Sequence, residues 1–153
     1  MTPWRDRPEI RLVMWALPLE AVWEIAQLPL YTLWRKNDWG YLLYNLAHCT
    51  LGDLLILLVS FELMAWLTRD RYWFKKRILF HGALFTLAGA GYTIYSEIRN
   101  VYFTGAWAYT ERMPIVPVIG VGLAPLLQWL LLPPLLLYLL RRVSTARVMK
   151  PLK

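Results

Sequence analysis

Four long apolar blocks alternate along the chain with short stretches rich in charge or aromatic rings. The blocks predict helices over about 10–34, 41–67, 78–97 and 117–140, with an aromatic loop over 98–116. At 1.5 Å per residue each is long enough to cross a hydrocarbon layer of about 30 Å. A backbone surrounded by hydrocarbon must satisfy its own hydrogen bonds, so the blocks read as helices. The expected fold is therefore all-α: a single polytopic membrane domain of four transmembrane helices. Pro125, Pro133 and Pro134 are expected to kink the last of them. Rings gather near the block ends, at Trp4, Trp34, Trp39, Tyr41, Trp66, Tyr72 and Trp73, where an interfacial belt belongs.

Composition sharpens this picture. Of 153 residues, 58% are hydrophobic and 18% charged, against roughly 45–50% and 25% in a soluble domain. The mean hydropathy is +0.39. The net charge of +7 comes from basic residues that flank the apolar blocks. It therefore points to topogenic charge and contact with membrane lipids, and no nucleic-acid motif accompanies it. A partner of its own kind, or a larger membrane complex, is compatible with the pattern. Cys49 is the one cysteine, so no intrachain disulfide forms. Arg5, Arg7 and Arg11 precede an apolar run that continues through Glu20 and Glu24 without a small-residue cleavage site, which reads as an uncleaved first helix.

Charge also orients the chain. Thirteen of the seventeen Lys and Arg lie at the two termini and between helices two and three: Arg5, Arg7, Arg11; Arg69, Arg71, Lys75, Lys76, Arg77; Arg141, Arg142, Arg147, Lys150, Lys153. Arg35, Lys36, Arg99 and Arg112 fall on the opposite side. The positive-inside bias then places both termini in the cytoplasm and the 98–116 loop outside. That loop, with Tyr102, Phe103, Trp107 and Tyr109, reads either as a segment lying on the membrane or as a lid over the bundle's outer mouth.

Ionisable residues inside membrane spans cost about 2.5–3.5 kcal/mol each on insertion scales, which makes them functional candidates. Helical geometry puts Glu20, Glu24, Gln27 and Tyr31 on one face of the first helix. Asn45, His48, Cys49, Gly52 and Asp53 share a face of the second. Gly82, Thr86, Gly89, Thr93, Ser96, Glu97 and Asn100 form a stripe on the third, and Gln128 sits near the middle of the fourth. By depth, Glu24, Asp53 and Glu97 meet in the outer half. Glu62 points away from Asp53 and is expected to pair with a loop cation.

Each group has a structural explanation as well. The small stripe suits close helix packing, and membrane amides commonly join helices at about 0.6 kcal/mol apiece. A membrane histidine usually bonds a carboxylate, and a buried thiol usually packs. As a site, Glu24, Asp53, Glu97 and His48 are the catalytic candidates, with Glu20, Gln27, Asn45, Asn100, Gln128 and Tyr109 as binding residues. Crowded carboxylates can divide acid and base roles on a lipid-soluble substrate. His48 with the three acids has the donor types for a divalent metal, yet no HExxH, CxxC or His-rich motif is present, so no metal is expected and no cofactor is implied. Proton or ion transport and a non-catalytic accessory subunit are the alternatives. No P-loop, GxGxxG or nucleophile elbow is present, and the sequence does not decide whether the protein is an enzyme.

The string Trp23-Glu24-x-x-Gln27-Leu-Pro29-Leu-Tyr31, then Asn45-x-x-His48-Cys49-Thr50-x-Gly52-Asp53, continues with Ser96-Glu97-x-x-Asn100, Trp107-x-Tyr109, Met113-Pro114 and Gly122-Leu-x-Pro125-Leu-Leu-Gln128-Trp129. It resembles a recurring family of small uncharacterised bacterial four-helix inner-membrane proteins, over most of the chain. The resemblance implies a multi-pass protein of the bacterial cytoplasmic membrane and carries no activity. Carboxylates on several helices are also similar, in architecture only, to membrane carotenoid cyclases and the sterol-isomerase superfamily.

Overall fold

A computed structural model describes residues 7–36 and 38–148, and the side chains of all of these except 36 and 143–148. Trp4, Arg5, Lys150 and Lys153, and the side chains of Lys36 and Arg147, lie outside the described set. Four α-helices form the bundle: α1 (Pro8–Gln27), α2 (Trp39–Thr68), α3 (Ile78–Ile98) and α4 (Leu123–Val148). Among the described residues three stretches are long and apolar enough to cross a membrane: Trp39–Thr68, Ile78–Phe103 and Leu123–Arg142. The outward faces are apolar, with Met14, Val22, Leu43, Leu55, Leu79, Phe80, Leu87 and Leu131 exposed. Such a surface is the wrong side of a soluble protein and the right one for a membrane protein.

The first helix is shorter than its apolar run suggests. It was expected to reach position 34, but it ends at Gln27 and gives way to tight 3-10 turns over Leu28–Leu30 and Thr32–Lys36. Pro29 is the reason, because it has no N–H for the helical ladder and crowds the preceding turn. The buried residues of α1 recur every three or four positions: Leu12, Ala16, Glu20, Glu24, Gln27. One inward stripe thus changes from apolar to acidic along its length.

Asp38 starts α2, its Oδ1 accepting the Tyr41 N–H at 3.1 Å. Arg69 ends it in the left-handed region, φ 52, with its N–H returned to the last turn. Arg77, φ 42, begins α3 in the same region. Between them Asp70 accepts the Tyr72 N–H and pairs with Lys76 at 2.8 Å. Arg71 joins Glu62 and Glu9, so Glu62 does find a loop cation.

The fourth helix begins at Leu123, six residues later than position 117. The intervening residues fold as a small antiparallel hairpin, β1 (Ile115–Val116) with β2 (Val121–Gly122), turning through Gly120 at φ 68. Alternating Val and Ile beside Pro117 and Gly120 favour that hairpin over a helical start. Pro125 falls in the first turn of α4, where a missing N–H disturbs no ladder bond. The helix continues through Pro133 and Pro134.

In the bundle α1 packs on α2 and α4, and α3 packs on α4 and, less closely, on α2. The stripe on α3 makes close approach possible. A β-carbon at Gly89 would lie 1.9 Å from the Trp129 ring, and one at Gly82 would touch Leu137. Toward the 69–77 loop the core is dense and aromatic, with Phe61, Trp73, Phe74 and Phe85 fully buried among Leu12, Leu57, Leu136 and Leu140. The polar residues collect at the other end.

Candidate functional site: an acidic cavity at one end of the bundle

The C-terminal end of α1, the first two-thirds of α2, the C-terminal end of α3 and the first turns of α4 surround a cavity of about 410 Å³. Pockets for small ligands commonly fall between about 300 and 1,000 Å³. Glu24, Asp53, Glu97, His48, Gln27, Asn45, Asn100 and Gln128 all contribute to its lining.

Gln128 is the hub. It is 2% exposed, as is Glu20. Its Nε2 donates to Glu20 Oε2 at 2.6 Å and Asp53 Oδ2 at 2.9 Å, with Glu24 Oε1 at 3.4 Å. Gln27 Nε2 donates to Glu24 Oε1 at 2.8 Å and approaches Gln128 Oε1 at 3.4 Å. Two amides therefore bridge carboxyl groups from α1 and α2 to α4. An amide suits this position because its NH₂ supplies two donors without adding a charge.

Glu97 occupies a second, phenolic arm. Its Oε2 accepts from Tyr109 at 2.5 Å and from Tyr31 at 3.3 Å. The Tyr109 oxygen in turn accepts the Gly122 N–H at 3.1 Å. Backbone pairing sets this geometry. Thr32 N–H donates to Ala108 O and Thr110 N–H to Leu30 O, each at 2.9 Å, so the 28–36 segment and the 104–114 loop zip together beside the cavity. The two tyrosine rings lie 5.5 Å apart. Burial, and then the bonded Glu97, hold the Tyr109 phenol above its ordinary value, so it stays a donor. The loop does not lie flat as one unit. Trp107 lines the cavity, while Phe103 is 80% exposed.

Several candidates occupy places the sequence did not indicate. Glu20 lies outside the lining and meets the cavity only through Gln128. Tyr109 stands behind Glu97 rather than on the cavity surface. His48 is exposed at the rim and stacks on Tyr44 one turn earlier, ring centres 5.8 Å apart. Asn45 and Asn100 spend their amide donors on their own helices, at Tyr41 O and Ser96 O. Tyr31 and Trp107 have direct roles that the sequence reading left out of the site, although both stand in aromatic motifs. Arg99, first read only as an orienting charge, joins the lining. Among the described residues no group of three or more His, Cys, Asp or Glu is arranged to hold a metal ion.

The cavity opens sideways. Leu55, Tyr92 and Tyr95 line it and are also 62%, 51% and 59% exposed on the outside of the bundle. The opening thus lies between α2 and α3, the least closely packed of the four neighbouring helix pairs. Fold and site together define a class: a helical membrane bundle with a lateral, acid-lined cavity near one end. Comparison with known protein families, curated proteins and solved structures finds no match to the chain.

Proposed function

We propose that this protein binds, and transforms by proton transfer, a small or lipid-soluble molecule that reaches the cavity from the bilayer. The observation that carries the reading is the convergence of Glu24, Asp53 and Glu97, from three helices, on one cavity with a sideways opening. A purely structural use of membrane carboxyls favours separate helix-to-helix pairs. Here Glu24 and Asp53 share the Gln128 amide, and Glu97 takes phenol donors beside the same open space. Carboxyl groups that share donors can hold and pass a proton, one acting as acid while its neighbour acts as base. Gln128 keeps Glu20, Glu24 and Asp53 in register for that exchange. Tyr31 and Tyr109 orient Glu97. The aromatic core toward the 69–77 loop argues against a continuous wet path and so against transport.

The same reading makes all four helices transmembrane. α1 carries too much charge to pass as a span by composition, yet Glu20 and Glu24 face inward and Met14, Leu17, Val22 and Ile25 face out. Its 20 residues are long enough. With the charge bias, both termini lie in the cytoplasm and the cavity opens in the outer half of the membrane. The chain then belongs in the bacterial cytoplasmic membrane, as its motif resemblance implies.

The test is lipid analysis of protein purified in mild detergent, alongside Glu24→Gln and Asp53→Asn variants. A small molecule co-purifying in near-stoichiometric amount with the wild type and lost from folded variants is the expected result. Identical lipid content in all three would favour a non-catalytic accessory subunit.

A further inference from the structure

The chemistry of the cavity selects among lipid-soluble molecules, and the selection rests on the proposal that the cavity is a binding site. Four carboxyl groups, Glu20, Glu24, Asp53 and Glu97, stand in or directly behind its wall. Gln27 is 6% exposed and lines the cavity, and its Oε1, buried in the wall, has no hydrogen-bond partner among the described residues. A buried acceptor left unpaired costs roughly 1–3 kcal/mol, so the site is short of a donor. Its neighbours Glu24 and Asp53 are acceptors too whenever they are ionised.

Aromatic faces supply the rest of the environment. Trp107 and Trp129 belong to the lining, and Tyr92 and Tyr95 flank the opening. Ring faces attract cations and tolerate apolar chains. Arg99 is the opposing feature. It is exposed at the C-terminal end of α3, beyond Glu97, whereas the α1–α2–α4 cluster is joined by bonds between amides and carboxyl groups. An acceptor-rich interior, an orphan carbonyl, aromatic walls and an apolar opening are complementary to one kind of molecule.

We infer that the cavity takes a lipophilic amine in its protonated, N–H-bearing form, with the ammonium group among Gln27, Glu24 and Asp53 and the apolar tail passing out between α2 and α3. The N–H donors would meet the Glu24 and Asp53 carboxylates directly, and Gln27 Oε1, which lies just behind the surface, once its side chain turns toward the cavity. Leu55, Tyr92 and Tyr95 would hold the first part of the tail. A quaternary ammonium would keep the charge but lose the hydrogen bonds, and an alcohol would keep a donor but lose the charge.

The experiment titrates the full-length protein in detergent with dodecylamine, dodecyltrimethylammonium, dodecanol and dodecanoate, reading bound ligand by native mass spectrometry. Dodecylamine is expected to bind at one equivalent, about tenfold or more tighter than the other three. Asp53→Asn should abolish that preference while circular dichroism shows the helices intact. Because the ligand series is read on the wild type, the ranking stands even where a variant fails to fold. Equal or tighter binding of dodecanol or dodecanoate at one equivalent would overturn the amine inference and leave the cavity a binding site. Absence of stoichiometric binding by all four would overturn both.

Discussion

Gln128 shows how much one side chain can organise. Its amide touches three carboxyl groups on two other helices, and it is almost wholly buried. Replacing it by leucine keeps the volume but removes both donors. Each acceptor left unpaired costs roughly 1–3 kcal/mol, so Gln128→Leu should destabilise the bundle by about 2–4 kcal/mol. Thermal unfolding in detergent should register the loss, and an unchanged melting temperature would mean that water or lipid replaces the amide. Tyr109→Phe is a milder probe at the same scale. It removes a donor to Glu97 and an acceptor for the Gly122 N–H while keeping the ring. The expected cost is about 1–3 kcal/mol, since one bond is to a carboxyl group. Hydrogen exchange should rise first at Gly122 and along the 104–114 loop. No local change there would show that the Tyr109 bonds to Glu97 and Gly122 do not hold the loop in place.

At the scale of elements, α3 and α4 are held close by a glycine facing a tryptophan. A methyl group at Gly89 would collide with Trp129, whose ring is buried and lines the cavity. Overpacking of that kind typically costs about 1–3 kcal/mol. Gly89→Ala should therefore lower the melting temperature and, by displacing Trp129, weaken whatever binds in the cavity. Gly91, two residues on, has open space around its α-carbon. Gly91→Ala should be neutral or slightly stabilising, because alanine is the better helix former by about 1 kcal/mol. Equal effects at the two positions would show that the contact with Trp129 does not matter. The element boundaries carry a related lesson. Apolar residues continue from α1 into 28–34, yet Pro29 ends the helix, and the freed segment pairs with the outer loop. The 117–122 stretch reads as helix by hydropathy alone, whereas Pro117, the glycines and the β-branched residues make a hairpin with 115–116.

For the molecule as a whole, topology is the property most open to direct measurement. The proposed arrangement puts the 69–77 loop in the cytoplasm and the 104–114 loop outside. Lys75 and Ala106 are both exposed. On a Cys49→Ala background, Lys75→Cys and Ala106→Cys should label from opposite sides of intact cells, with Ala106→Cys reached by a membrane-impermeant maleimide. Labelling of both from the same side would rule out the four-span topology. The two ends of the bundle should also differ in stability. One is packed with rings and the other surrounds open space, so amide exchange should be slowest in α2 and α3 around Phe61 and Phe85.

Much of this protein is local and therefore present in its sequence. Hydropathy marks the helices, and a period of 3.6 sorts Glu20, Glu24 and Gln27 onto the same stripe as Leu12 and Ala16. Position along each span places Glu24, Asp53 and Glu97 at the same end of the bundle, whereas Gln128, read near the middle of its span, joins them only because α4 begins at Leu123. Those inferences need only the rise and turn of one helix at a time. What they leave open is how the helices rotate and lean against each other. Gln128 reaches Glu20 across 108 residues of chain, and Tyr31 reaches Glu97 across 66. Contacts of that separation depend on crossing geometry, on Gly89 admitting Trp129, and on two irregular segments zipping together. The same packing left α2 and α3 the less closely joined neighbours and stacked His48 on Tyr44 at the rim. A helical period gives each side chain an angle about its own axis, and only the assembled bundle decides which angles face one another.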